Sequence, residues 1–228
     1  KRVITDILTW PSLQGATISL MDINEGKLTT MAVLARKMVA QAGVDARIES
    51  TTDLGEALAN ANYVIVAIRA SYSRNHITIP YNYGLNYPIG DTMGPSGMFY
   101  FLKNASAVVE IAQTMDKVCP NAVLLNYSNP MVMLCWAIKE LSDIRHVGLC
   151  HSVQGTAMTL AKYIEAPFEE ISYWVAGINH MAWFLKFQRK GKDAYPILWK
   201  AMEDLEIYKQ DIIKWEIMKR FGAFVSES

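Results

Sequence analysis

Charge of one sign is missing from this sequence: 22 Lys and Arg residues are matched by 22 Asp and Glu in a chain of 228, leaving a net charge of zero. No overall field remains to hold a nucleic acid or an anionic membrane, so a small neutral or locally charged ligand is the expected partner. Long hydrophobic runs are also missing. The longest, such as residues 63–68, fall far short of the roughly 20 residues that cross a bilayer. Cysteine is scarce: Cys119, Cys135 and Cys150 are odd in number and sit in apolar stretches. That excludes a disulfide framework and fits reduced thiols in a cytoplasm. The sequence has no secretory signal, no repeat, no low-complexity tract, no Pro/Gly/Ser linker and no G-x-G-x-x-G string. It opens inside what reads as a helix and stops at Ser226-Glu227-Ser228 with no terminating element, so a fragment of a longer protein is expected.

What is present is hydrophobic periodicity that alternates between two and 3.6 residues, in a chain 51% hydrophobic. Val3, Ile4, Ile7 and Leu8 recur at helical spacing. Residues 16–21 read as a strand ending at Asp22, and 27–41 carry Leu28, Met31, Leu34, Ala35 and Met38 on one helical face. Residues 47–50 form a second strand, Asp53 caps a short helix, and 62–68 (NYVIVAI) read as a strand buried on both faces of a parallel sheet. Residues 69–97, rich in Tyr, Asn, Pro and Gly, read as a long functional loop. A helix over 98–118, a strand at 122–127, a helix after Pro130 and a strand at 146–150 follow. A helix then runs to Tyr163, two β-like runs lie at 173–178 and 182–188, a turn falls at 190–192, and two amphipathic helices close the chain. The alternation predicts an α/β fold: a Rossmann-like doubly wound parallel sheet followed by the start of a second α+β domain, with a soft boundary between residues 1–147 and 148–228. Ligands of such sheets bind beyond the carboxyl ends of the strands.

Several positions at such ends, or in the loops beside them, carry candidate chemistry, most with a structural alternative. Asp22 can accept hydrogen bonds from a dinucleotide's ribose, or simply start a turn. In Asn126-Tyr127-Ser128-Asn129-Pro130, an Asn can cap the following helix or hold a sugar hydroxyl through its amide. Cys150-His151 and Asn179-His180 end two strands, and the Cys150 thiolate and His180 imidazole are both metal ligands; the alternative is a packed thiol and a core histidine. As a pair they differ from a four-ligand structural zinc site. Asp91, between Gly90 and Thr92, sits where the residues make tight turns or where an acid could meet a hydroxyl or a metal-bound water. Arg69 and Arg74 at the loop's start could meet an anionic group.

The strings LLNYSNPM, VGLCHSVQGTA and VAGINHMAWFL, in this order and spacing, resemble the family 4 glycoside hydrolases, especially their α-galactosidase-like members. The resemblance extends through ISLMDIN, YGLNYPIGDTMGP and RFGAFVSES and so covers essentially the whole chain, as roughly the first half of a family member without its first strand. It implies a cytoplasmic glycosidase outside the two-carboxylate scheme, one that uses NAD and a divalent metal, manganese in most members, to oxidise the sugar, eliminate the aglycone, add water and reduce again. By the same resemblance Cys150 and His180 match the metal ligands, Asn129 the substrate-binding Asn, Asp91 the acid of a G-[DE]-T turn, and Asp22 the acid that holds the adenosine ribose. His151 matches the histidine of members acting on unphosphorylated α-glycosides, where it would donate to the departing oxygen or bind a hydroxyl. The family's catalytic base, a tyrosine, is expected beyond Ser228, and a homo-oligomer is implied. Ser96 in the Gly94-Pro95-Ser96-Gly97 turn, Met98-Phe99-Tyr100 where relatives carry an Arg, and Arg69-Ala70-Ser71 without paired glycines depart from the family pattern.

Two rival functions fit the same residues. An NAD-dependent dehydrogenase of the lactate and malate type would use His180 as proton acceptor and need no metal. A sugar- or nucleotide-binding module would need neither the phosphate loop nor the base that this chain lacks.

Overall fold

The computed structural model describes residues 2–70, 73–85 and 92–226. Helix α1 (Arg2–Thr9) presents Ile4 and Leu8 to a small core with Ala35 and Ala46. Strand β1 (Thr17–Met21) leads through Asp22 into helix α2 (Glu25–Ala42). Asn24 starts α2 by accepting the Lys27 N–H at 2.9 Å, and Gly43 ends it at φ 65°, the left-handed stop that glycine allows. Strand β2 (Arg47–Thr51) pairs with β1 in parallel, Thr17 opposite Arg47 through Met21 opposite Thr51. Asp53 caps helix α3 (Leu54–Leu58) by accepting the Glu56 N–H at 2.7 Å.

Strands β3 (Tyr63–Val66), β4 (Val123–Asn126) and β5 (Arg145–Gly148) form a second sheet in that order. Val123 N–H bonds Asn62 O where β3 and β4 begin, and Leu149 N–H bonds Asn126 O where β4 and β5 end. Starts beside starts and ends beside ends make the sheet parallel. The usual doubly wound order is 3-2-1-4-5-6. The orders β1-β2 and β3-β4-β5 match the pair 3-2 and the triplet 4-5-6 of that order. The sheet is the α/β, Rossmann-like one expected, but β3 is not buried on both faces: Tyr63 is 68% exposed and Ile65 38% exposed. As an end strand of its triplet, β3 has a bonded neighbour on one side only.

The stretch from 69 to 97 is less loop-like than its composition suggests. It holds helix α4 (Asn75–Asn82), whose buried His76 stacks on Tyr100, ring centroids 4.4 Å apart, from helix α5 (Gly94–Val118). Pro80 inside α4 hides the helical period from a sequence reading. After helix α6 (Met131–Leu141) and β5, helix α7 (Ser152–Tyr163) leads to an antiparallel sheet of β6 (Ile171–Ile178), β7 (Met181–Arg189) and β8 (Lys192–Asp193). Three helices rather than two follow: α8 (Tyr195–Ala201), α9 (Leu205–Gln210) and α10 (Ile212–Phe221). The Asp204 cap that starts α9 divides what reads as one period.

By compactness the chain divides into two units. One comprises residues 1–66, 107–125 and 137–147, and the other residues 67–106, 126–136 and 148–228. The second has its own core, in which Phe184, Phe187, Trp215, Met218 and Phe224 are fully buried. Each such side chain contributes about 1.5–3 kcal/mol of hydrophobic stabilisation. Residues 224–226 run antiparallel along β7: Phe184 N–H bonds Phe224 O, Ser226 N–H bonds Ala182 O, and Ala182 N–H bonds Ser226 Oγ. The β6–β7 hairpin is thereby clamped close to its tip. Among the described residues no helix is long and apolar enough to cross a membrane.

Candidate metal and sugar site

Cys150 lies two residues beyond β5. Leu149 N–H still bonds Asn126 O at 2.9 Å, so the chain leaves the sheet only at Cys150, which is exposed. The backbone before it lies close to α6, where Gly148 leaves the Met131 and Cys135 side chains in place. A Cβ there would stand 2.1 Å from Met131 Sδ and 2.8 Å from Cys135 Sγ. His151 opens α7 without spending its side chain on a cap, and it is exposed. Ser152 is buried, with Oγ 3.1 Å from Cys150 Sγ.

His180 comes from a different device. Ile178 and Met181 pair across the hairpin, so Asn179 and His180 form a two-residue turn, and His180 takes φ 62°. A side chain in that left-handed region costs about 1–2 kcal/mol. The turn is reached through Gly177, at φ 141°, where a Cβ would stand 2.5 Å from Met181 O and 2.6 Å from Ala182 Cα.

The two devices bring Cys150 Sγ and His180 Nε2 to 3.5 Å. A cation at about 2.3 Å from sulfur and 2.1 Å from imidazole nitrogen, with ligand angles near 90–110°, would hold those atoms roughly 3.1–3.6 Å apart. The pair fits one shared cation. Among the described residues no group of three or more His, Cys, Asp or Glu could hold a metal. A cation at the pair would therefore keep open positions for oxygen ligands, unlike a four-ligand structural zinc site. A groove of about 430 Å³ opens at this point, lined by Met131, Gly148, Cys150, Ser152, the edge strand from Tyr173 to His180, Ala182 and Ser226.

The other sequence candidates stand as follows. His151 adjoins Cys150 in the chain, and Asn129 is half-buried in the turn before α6, but neither lines the groove. Asn126 is fully buried and neither caps the helix nor faces a ligand: its Oδ1 accepts the Ser128 N–H and its Nδ2 donates to Ser128 O. Asp22, half-buried at the end of β1, accepts the Asn24 N–H at 2.8 Å, a turn contact that leaves its carboxylate further acceptor capacity. Arg69 is exposed with its guanidinium carbon 5.8 Å from the Tyr100 ring centroid. Asp91 lies outside the described residues. The sequence reading missed Gly177, Gly148, Ser128 and Asn104. Asn104 had a signal: it is the one polar side chain in the buried stripe Tyr100, Asn104, Val108, Ala112 and Met115 of α5.

Comparison with known proteins identifies the family of the chain. The profile of the family 4 glycosyl hydrolases matches residues 1–166, and that of the family 4 glycosyl hydrolase C-terminal domain matches residues 175–228. The chain is 36% identical to an alpha-galactosidase of Bacillus subtilis (strain 168), over 100% of this chain and 54% of that protein. It is 34% identical to an alpha-galactosidase of Rhizobium meliloti (strain 1021), over 100% of this chain and 48% of that one. It thus spans about half the length of these curated relatives. A 6-phospho-alpha-glucosidase from gut microorganisms, solved in complex with NAD and Mn2+, superposes with a TM-score of 0.82 over 99% of this chain and 55% of that chain, at 18% identity. With profile matches along nearly its whole length and two relatives above 30% identity throughout, this chain belongs to glycosyl hydrolase family 4.

Proposed function

We propose that the full-length protein hydrolyses α-glycosides, α-galactosides foremost, with NAD and a divalent metal, manganese, bound at this site. The observation that carries the proposal is the 3.5 Å approach of Cys150 Sγ and His180 Nε2. When bound, the metal supplies a Lewis acid for sugar oxygens and NAD supplies a hydride acceptor and donor. Cys150 and His180 would hold the metal from one side and leave the groove side for the sugar. His151, exposed and uncommitted to the α7 cap, would bind a hydroxyl or donate a proton to the departing oxygen. Asn129 would hold a sugar hydroxyl through its amide. Asp22 would accept from the adenosine ribose, with its turn contact fixing the carboxylate. Asp91 is assigned to the same chemistry as an orienting acid. Residues 1–147 would serve the dinucleotide and residues 148–228 would begin the metal and substrate domain. The α-galactosidase choice is supported by the identity to two alpha-galactosidases over the whole chain, and a cytoplasmic homo-oligomer completes the reading.

The test is turnover of an aryl α-galactoside by the full-length protein, with and without NAD, manganese, chelator and thiol reductant. Turnover should need both NAD and metal and accumulate no net NADH. Hydrolysis unchanged by chelator and by omission of NAD would remove the proposal. Net NADH formation with no release of the aryl group would instead identify a dehydrogenase.

A further inference from the structure

Ser128 and Asn104 tie together two chain segments that run past the ends of β3 and β4, where the strand ladder has stopped. Ser128 Oγ accepts the Ile68 N–H at 2.9 Å and donates to Ile68 O at 3.0 Å, standing in for one rung of the sheet. Two residues further along the first segment, at Ala70, and one further along the second, at Asn129, the task passes to Asn104. Its side chain is fully buried in α5, where an apolar residue would be the ordinary choice, since an unpaired buried carboxamide costs free energy. Here the amide is engaged at both ends: Oδ1 accepts the Ala70 N–H at 2.9 Å, and Nδ2 donates to Tyr100 O at 3.2 Å and to Asn129 O at 3.0 Å.

Only the bond to Tyr100 is local to α5. The other two reach the backbones of the segments after β3 and β4, on the side of a parallel sheet where ligands bind. The carbonyl held at 3.0 Å is that of Asn129, the residue assigned to the sugar, and its predecessor Ser128 is already pinned to Ile68. Fixing the peptide on either side of the Asn129 Cα sets where its carboxamide can point, and small errors of placement at a reacting centre are costly. We infer that Asn104 is a positioning residue that orients Asn129 for the sugar by holding its carbonyl. This rests on the glycosidase reading above and adds to it a residue within α5, 25 residues from Asn129 in sequence.

The experiment is a double-mutant cycle in the full-length protein, using Asn104→Ala, Asn129→Ala and the pair. Steady-state kinetics on an aryl α-galactoside, NAD affinity by fluorescence and melting temperature are measured for each. Asn104→Ala should raise KM for the sugar about tenfold while NAD affinity stays within about twofold. That increment should shrink to less than about twofold in the Asn129→Ala background. If Asn104→Ala does not fold, Asn104→Asp takes its place: it keeps the acceptor for Ala70 and loses the donor to Asn129, so it should show the same KM rise without restoring it. Equal increments in both backgrounds, an unchanged KM in a folded variant, or a parallel loss of NAD affinity would each overturn the inference and leave the glycosidase reading intact. A wild-type protein without glycosidase activity would overturn both.

Discussion

Cys150 and His180 reach the same point from structures of opposite character. Cys150 follows a strand of a parallel sheet, at a position any doubly wound fold reserves for ligands, and its backbone is ordinary. His180 sits at the tip of an antiparallel hairpin in a left-handed conformation, reached through a glycine pressed against the opposite strand. The Cys150 thiol thus comes with its fold, and the His180 imidazole is held against local preference by the Ser226 clamp and the Phe184, Phe187 and Phe224 core beneath the hairpin. Strain sustained by its surroundings is what a functional position shows when the side chain is needed and the backbone would be easier without it.

Removing each of the two side chains sharpens this contrast and has the largest expected effect. Cys150→Ser should lower kcat/KM more than about 100-fold with metal in excess, since even outer partners of a metal cost 10–100-fold. Its stability should change by no more than about 0.5 kcal/mol, because the side chain is exposed. His180→Gly should lose as much activity while gaining up to about 1 kcal/mol, because glycine accepts the positive φ. Activity assays paired with denaturant melts separate the two. A His180→Gly protein that kept its activity would remove the imidazole from the site.

The same contrast applies to the two glycines. Gly177→Ala should destabilise the protein by about 1–3 kcal/mol and weaken metal binding, since its Cβ would meet backbone atoms of Met181 and Ala182 that cannot move without the turn. Gly148→Ala should cost less, because the atoms it meets are side-chain atoms and the Met131 thioether can swing aside. Titration calorimetry with Mn2+ alongside thermal melts measures both, and a larger loss at Gly148 would reverse the account of which ligand is the more strained.

How far the sequence could be read follows the same division. The helices and strands of the first unit, with the Asp53 cap, were legible because their signals are local. The Cys150 end of the site was legible too, because an alternating α/β pattern already says where ligands bind. Residues 150 and 180 are brought together by a hairpin folding back, and period-2 patterning does not say where its tip lands. That pairing came from family resemblance, and the geometry now supplies a distance. Helix α4 was hidden by Pro80, and the exposed face of β3 by an apolar string that reads the same in a central or an end strand; Asn104 stands out only against the buried stripe of α5, and it went unread among that helix's other polar residues.

Tyr195 tests the support under the hairpin. Its hydroxyl donates to Phe184 O and accepts the Phe224 N–H at 2.9 Å, joining β7 to the segment that clamps it. Burial, ahead of the other influences, raises the pKa of that phenol above its ordinary value, so it stays a neutral donor at physiological pH. Tyr195→Phe should cost about 1–3 kcal/mol by leaving the Phe224 N–H unpaired in a buried setting. Urea denaturation should show the loss, with kcat falling less than in Gly177→Ala, since the tip itself is untouched.

The smallest effect belongs to the far end of the hairpin, where Glu170 bonds Lys190 and Arg189 at 2.8 Å each. Those two cations, Lys190 first, hold its carboxyl below the ordinary carboxylate range. A carboxyl whose pKa is lower folded than unfolded binds fewer protons in the folded state, so its stabilisation is present above the unfolded pKa, about 4.3 for Glu, and is lost as pH falls through the folded pKa. Glu170→Gln should therefore melt below wild type at neutral pH, converge with it in acid below the folded pKa, and lose most of the difference in high salt, because both cations are solvent-accessible. The variant should leave metal affinity unchanged, since the ion pairs sit at the end of β7 opposite His180. A pH-dependent change in Mn2+ binding on Glu170→Gln would mean that the two ends of the hairpin are mechanically coupled, and that the strained tip is held by more than the clamp beside it.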